Sequence, residues 1–224
     1  MLEPEAHPKA VTALSTRAVV KRKSTVREYA EALGVALLLA FVIRTFVVQA
    51  FKIPSGSMLP TLQIGDHILV NKFVYQFRPI QRGDIIVFKF PQDESRDFIK
   101  RVVGLPGETV EVRGKEVLID GKPLREPYAV FSDGAFGRSG ERERIGPISI
   151  PPNRLFMMGD NRDHSMDSRF WGFLDAAKVK GKAFLVYFSV RSDEIPTDSS
   201  LGSVAYVLVR PSLIRWGRLG SMVE

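Results

Sequence analysis

The sequence predicts a mainly β protein: an antiparallel β-sheet domain with a small β insertion and one N-terminal transmembrane helix. Three observations lead there. Short runs rich in β-branched and aromatic residues recur from residue 66 onward, separated by turn residues. Fourteen prolines and eighteen glycines are spread over the 224 residues, which favours turns over long helices. A single long charge-free apolar run stands apart near the N-terminus.

That run is 32–43, ALGVALLLAFVI. Before it, residues 1–31 form a polar tail carrying Lys21, Arg22, Lys23 and Arg27 near its end. After it, Arg44, Thr45 and Gln49 interrupt an apolar stretch that continues to Phe51. A helix over 30–51 would reach about 30 Å at 1.5 Å per residue, the thickness of a bilayer core. Arg44 would then snorkel at the outer end. The expected anchor is 32–51, with a cytoplasmic N-terminus set by the basic cluster and the remaining chain outside. A cleaved leader is the rival, because Val48-Gln49-Ala50 resembles a cleavage site. Either reading exports the rest.

Strands are expected at 66–73 (DHILVNKF), 84–90 (DIIVFKF) and 98–103 (FIKRVV), the last stopped by Gly104-Leu105-Pro106-Gly107. Residues 109–113 and 116–119 form a hairpin across Gly114-Lys115, where glycine suits a type II′ turn. Asp120-Gly121 marks another turn, and 124–149 reads as a loop or small insertion. Further strands fall at 155–158 and 182–190. The stretch 194–203 is turn-rich, and 213–222 interleaves basic and aromatic residues that could rest on a membrane or on the body. The organisation expected is a core from 52–107 and 155–190, a small inserted hairpin or loop subdomain at 108–154, and a C-terminal extension at 191–224.

Composition removes several chemistries. Without cysteine there is no disulfide framework, no zinc-finger site and no thiol nucleophile. The three histidines, His7, His67 and His164, form no H-E-x-x-H pattern, which argues against a metalloprotease. A net charge of +7 admits nucleic acid or an anionic membrane as partner. The charge is scattered and shows no aromatic-basic repeat, so no nucleic-acid partner is expected.

The apolar stretch leads into Ile53-Pro54-Ser55-Gly56-Ser57-Met58-Leu59-Pro60-Thr61. Pro54 fixes φ and biases Ile53 to an extended form, and Gly56 permits close backbone approach. The result is a constrained loop with two hydroxyls. The apolar Met58-Leu59 pair is unusual for a solvated linker and suits a site for a lipid-embedded substrate. A serine nucleophile needs a base. His7 lies on the wrong side of the expected membrane and His67 sits in a strand, but His164 in the polar loop 159–167 keeps a Ser57–His164–Asp triad open. A buried neutral lysine is the alternative. Alternation places Lys100 with Phe98 and Val102 on one strand face, while Lys72 and Lys89 are competing strand lysines.

Taken together, IPSGSMLPTL, GDHILVNKFVY, RGDIIVFKFP, DFIKRVVGLPGE and MMGDNRDHSMDSRFWGF resemble, in order, the successive boxes of bacterial type I signal peptidases. The likeness runs from the apolar segment to about residue 190. It implies a membrane-bound serine endopeptidase of the bacterial cytoplasmic membrane, cutting signal peptides from exported preproteins after Ala-x-Ala-like sites, without metal or organic cofactor. It implies Ser57 as nucleophile and Lys100 as general base. Ser55 and the Ser57 amide would form the oxyanion hole, and Ser165 would hydrogen-bond the lysine. Asp167, Arg169 and Asp160 would support the site. His164 departs from the asparagine frequent in the family. The segment between Gly107 and Leu155 is short, so a reduced second domain is expected, with one membrane segment where some members have two. Self-cleaving repressors share a Ser-Lys core but carry a DNA-binding domain, for which residues 1–31 are too short. A membrane-tethered binding module would have no reason to combine Ser57, Lys100 and Ser165.

Overall fold

Residues rich in Val, Ile and Phe fill pleated strands, and they do so here in two antiparallel sheets. The computed structural model describes residues 25–42, 47–131, 144–191 and 210–224. The basic cluster at 21–23, Arg44 and Thr45, the 132–143 part of the predicted loop and the turn-rich 194–203 lie outside the described residues.

Two units divide the chain, Met1–Ala40 and Phe41–Glu224. Helix α1 spans Thr25–Val42. Leu33, Val35, Leu37, Leu38, Leu39 and Phe41 along it are all exposed. The expected continuation of this helix to residue 51 is corrected. Val48–Lys52 is strand β1, paired antiparallel with β2 at Asp66–Asn71. Val47, Val48 and Phe51 favour a strand, and pairing with β2 satisfies backbone groups that a helix would have used. No helix among the described residues is long and apolar enough to cross a membrane. The eighteen residues of α1 include Arg27, Glu28 and Glu31 in the first half.

The larger sheet adds β3 (Ile85–Phe90), β4 (Asp93–Gly104), β9 (Arg154–Met158), β10 (Leu174–Asp175), β11 (Val179–Ser189) and β12 (Ser221–Met222). Its order is β1-β2-β11-β3-β4-β9-β10, with β12 also paired to β11. The central β3 reads IIVF because both faces are covered: Ile85 and Val87 join one cluster with Ile68, Val70 and Val186, while Ile86 and Phe88 join another with Val102, Leu155 and Met157.

The smaller sheet has the order β7-β6-β5-β8, from β5 (Thr109–Arg113), β6 (Glu116–Ile119), β7 (Lys122–Pro123) and β8 (Arg144–Ser149). At the β5–β6 turn Gly114 takes φ +61°, the sign a type II′ turn requires of its first central residue. Asp120 and Gly121 both have positive φ where β6 turns into β7. This sheet shares a core with Val103, Phe156 and Met158 of the larger one. The protein is mainly antiparallel β, as the sequence predicts.

Candidate active site

The loop between β1 and β2 carries both candidate hydroxyls. It is closed at its base by hydrogen bonds from Ile53 N–H to Asp66 O (2.8 Å) and from Gly65 N–H to Ile53 O (2.9 Å). Inside it, Leu59 N–H donates to Gly56 O and Leu62 N–H donates to Met58 O. Met58 and Leu62 are fully buried in the core around β2 and β3. Burying such a side chain contributes about 2 kcal/mol, so the residue after Ser57 is an anchor. The expected role of Met58 as a contact for a lipid-embedded substrate is corrected accordingly.

Ser57 is 7% exposed and Lys100, on β4, is 4% exposed. Lys100 Nζ lies 2.8 Å from Ser57 Oγ and 2.9 Å from Ile99 O. The Phe98 ring, on the same strand face, has its centroid 5.3 Å from Nζ. Burial lowers the Lys100 pKa to about 8, with the Asp167 and Asp160 carboxylates pulling the other way. A neutral Nζ can keep one N–H on Ile99 O and offer its lone pair to the Ser57 hydroxyl. Neither rival lysine has this setting: Lys89 is exposed and Lys72 lies one residue past β2. His164 is exposed, while the Ser57 hydroxyl faces Lys100.

The loop 159–167 after β9 supplies the supporting carboxylates. Asp160, fully buried, takes two hydrogen bonds from Arg101 (2.8 and 2.7 Å) and one from Thr61 Oγ1 (2.5 Å). It thus ties the Ser57 loop to the residue next to Lys100. Arg101 also donates to Gly83 O and Glu224 O, and lies 3.8 Å from the centroid of the Tyr128 ring. Asp167, also fully buried, caps the short helix α2 (Ser168–Trp171), pairs with Arg169 at 2.9 Å and accepts from Gly159 N–H.

Ser165 differs from expectation. Among the described residues its buried hydroxyl has no hydrogen-bond partner, while Lys100 Nζ is engaged with Ser57 and Ile99. It packs against Gly159, where an added Cβ would meet Ser165 Oγ at 2.3 Å. Ser55 is exposed, and its hydroxyl makes no hydrogen bond among the described residues. Sequence reasoning missed Thr61, Glu126, Tyr128, Asn161 and Arg162. Arg162 is buried and takes both Glu126 carboxylate oxygens (2.8 and 2.6 Å). Asn161 and Arg162 had a signal in the unbroken polar run after Gly159; Glu126 and Tyr128 had none.

A buried hydroxyl against a buried amine that loses its charge near pH 8 is equipped for acyl transfer: the amine takes the proton as the oxygen attacks a carbonyl. The site and its β scaffold define a hydrolase of the peptidase class. Residues 26–188 match the family described as signal peptidase, peptidase S26. A signal peptidase I of Leptolyngbya laminosa is 42% identical over 178 residues, covering 76% of this chain and 83% of that one. One from Pseudomonas aeruginosa is 36% identical over 223 residues, covering 79% and 78%. A signal peptidase I P of Bacillus subtilis subsp. natto is 35% identical over 173 residues, covering 76% and 92%. The chain belongs to the bacterial type I signal peptidase family.

Proposed function

We propose that the chain removes signal peptides from exported preproteins after Ala-x-Ala-like sites by a Ser57–Lys100 dyad. The observation that carries this is the 2.8 Å approach of a buried amine to a buried serine hydroxyl. Neutral Lys100 accepts the Ser57 proton as Oγ bonds to the scissile carbonyl carbon. Negative charge gathers on the carbonyl oxygen, received by the Ser57 N–H and the Ser55 hydroxyl. The C–N bond breaks, Lys100 passes its proton to the leaving amine, and water activated by Lys100 then hydrolyses the acyl-enzyme. Asp160, Asp167, Arg169 and Ser165 support the two reacting groups.

An extended substrate needs a strand edge near Ser57. Residues 97–99 of β4 pair with β3 on one side and with no described strand on the other, since β9 joins only from Arg101. That open edge ends at Lys100. The apolar half of α1, exposed on all sides, favours association with membrane lipid of the bacterial inner membrane, with the N-terminus cytoplasmic and the sheets outside.

The test is cleavage of a synthetic preprotein in detergent. Wild type cuts after the small-residue site, and folded Ser57→Ala and Lys100→Ala fall by at least about 10³-fold. The wild-type rate rises with pH and levels above about 8, because only neutral Lys100 can act as base. An active Lys100→Ala beside a dead His164→Ala would replace the dyad with a histidine base.

A further inference from the structure

Asn161 touches the nucleophile loop and has no part in the proton transfers above. It is 8% exposed. Its Nδ2 donates to Gly56 O at 3.1 Å, and its backbone N–H donates to Ser57 O, also at 3.1 Å. A carbonyl oxygen only accepts, so the amide nitrogen is the atom facing Gly56. One residue therefore grips both carbonyls that flank the Ser57 α-carbon.

The grip has a directional consequence. In a trans peptide the carbonyl and the following N–H point in opposite directions. Holding Gly56 O fixes where the Ser57 N–H points. Leu59 N–H holds the same oxygen at 3.2 Å, so the peptide plane is pinned from two sides. Among the described residues, nothing accepts a hydrogen bond from the Ser57 N–H. It is a donor aimed and left free.

Asn161 is itself held. Val130 brackets it, donating to Asp160 O at 2.8 Å and accepting from Arg162 N–H at 2.9 Å. Arg162 is fastened to Glu126 and to Gly159 O. A Cβ on Gly159 would meet Ser57 O at 2.5 Å, so the loop lies directly on the nucleophile's own peptide with no room between.

We propose that Asn161 is the positioning residue of the oxyanion site: by clamping the Gly56 and Ser57 carbonyls it aims the Ser57 N–H at the charge developing on the substrate. This rests on Ser57 being the nucleophile. Asn161→Asp keeps the shape and loses the donor, and Asn161→Ala loses it without adding charge. Each is compared with wild type and Ser57→Ala on a synthetic preprotein, using the full chain in detergent. The second probe is a peptide boronic acid, whose boron bonds Ser57 Oγ and sets an oxygen at the oxyanion position.

In both variants kcat falls about 10- to 100-fold with KM within about twofold. Boronate affinity falls by a similar factor, and in Asn161→Ala, which adds no charge beside Lys100, the pH at which activity levels stays where the wild type has it. A loss through KM alone, an unchanged boronate affinity, or a pH limb shifted in Asn161→Ala overturns the proposal, the last by moving the role to Lys100. So does a fall in folded fraction, read from thermal unfolding, large enough to explain the lost rate. An active Ser57→Ala would instead sink the nucleophile reading and take this proposal with it.

Discussion

Strand β4 runs from solvent into the core, and its two halves carry charge in different ways. Residues 93–97 are exposed, and their acids meet lysines of β11's approach and start: Glu94 with Lys178, Asp97 with Lys180 at 2.7 Å. Residues 99–104 are buried between β3 and β9, and they hold Lys100 and Arg101. There Arg101 meets Asp160 at 2.7 Å with both side chains nearly inaccessible. The two ion pairs have the same length and opposite settings. In the outer half water competes with the partner. In the inner half each charge has been stripped of water, so it must be paired, as Arg101 is, or lose its charge readily, as Lys100 does near pH 8.

Removing a partner from the inner half is the sharpest way to test this contrast. Asp160→Ala strands Arg101 and leaves Thr61 Oγ1 without its acceptor. Urea unfolding should show a loss of about 3–5 kcal/mol, typical of a buried charge left unpaired. Under the proposed dyad cleavage should fall with it, since the same carboxylate joins the Ser57 loop to the strand of Lys100. A loss below about 1 kcal/mol would mean that water reaches this pair as it reaches the outer one.

A gentler change acts on charge rather than on fold. The Asp167 carboxylate favours the protonated form of Lys100, and burial opposes it. Asp167→Asn removes that negative charge and leaves the Arg169 guanidinium uncompensated nearby. Both changes disfavour a charged Lys100. The pH limb of kcat/KM should therefore move below its wild-type position near 8, and activity should become less dependent on alkaline pH. A limb that moves upward would show that Asp167 acts on some other group.

The central strands of the larger sheet are legible because each carries a short apolar run rich in β-formers. Lys100 was legible as a lysine among apolar neighbours, and its separation from Ser57 in sequence hid only the distance. β1 escapes the sequence reading because apolar residues at 46–51 resume only two residues after the helical run, across Arg44 and Thr45; only their β-branched and aromatic character points to a strand. The glycines and charge runs of 124–149 make β8 read as loop or small insertion, and Gly146-Pro147 sits in its middle. The structure accommodates that pair as a bulge: Val112 meets Ile145 and Val110 meets Ile148, so two residues face Glu111 alone. Gly146 takes φ +80° there, and a Cβ would strike Val110 O at 2.5 Å. The contacts of Asp160 with Thr61 and of Tyr128 with Arg101 had no periodic trace, because side chains that meet across loops leave no spacing rule in the chain.

The smallest effect belongs to the outer half of β4, and its smallness is informative. Lys180 Nζ and Asp97 Oδ2 are 2.7 Å apart, yet each side chain keeps over a quarter of its surface in water. Fixing two flexible side chains costs about as much as the screened attraction returns. A double-mutant cycle of Lys180→Ala and Asp97→Ala should give a coupling of about 0.2–1 kcal/mol, shrinking further in 1 M salt, where charges are screened within about 3 Å. Lys180→Ala alone should leave preprotein cleavage unchanged, because this lysine touches neither Ser57 nor Lys100. A coupling that matched the Asp160 penalty and resisted salt would mean that pair length governs the energy. It would remove burial as the reason the Lys100 pKa falls to about 8.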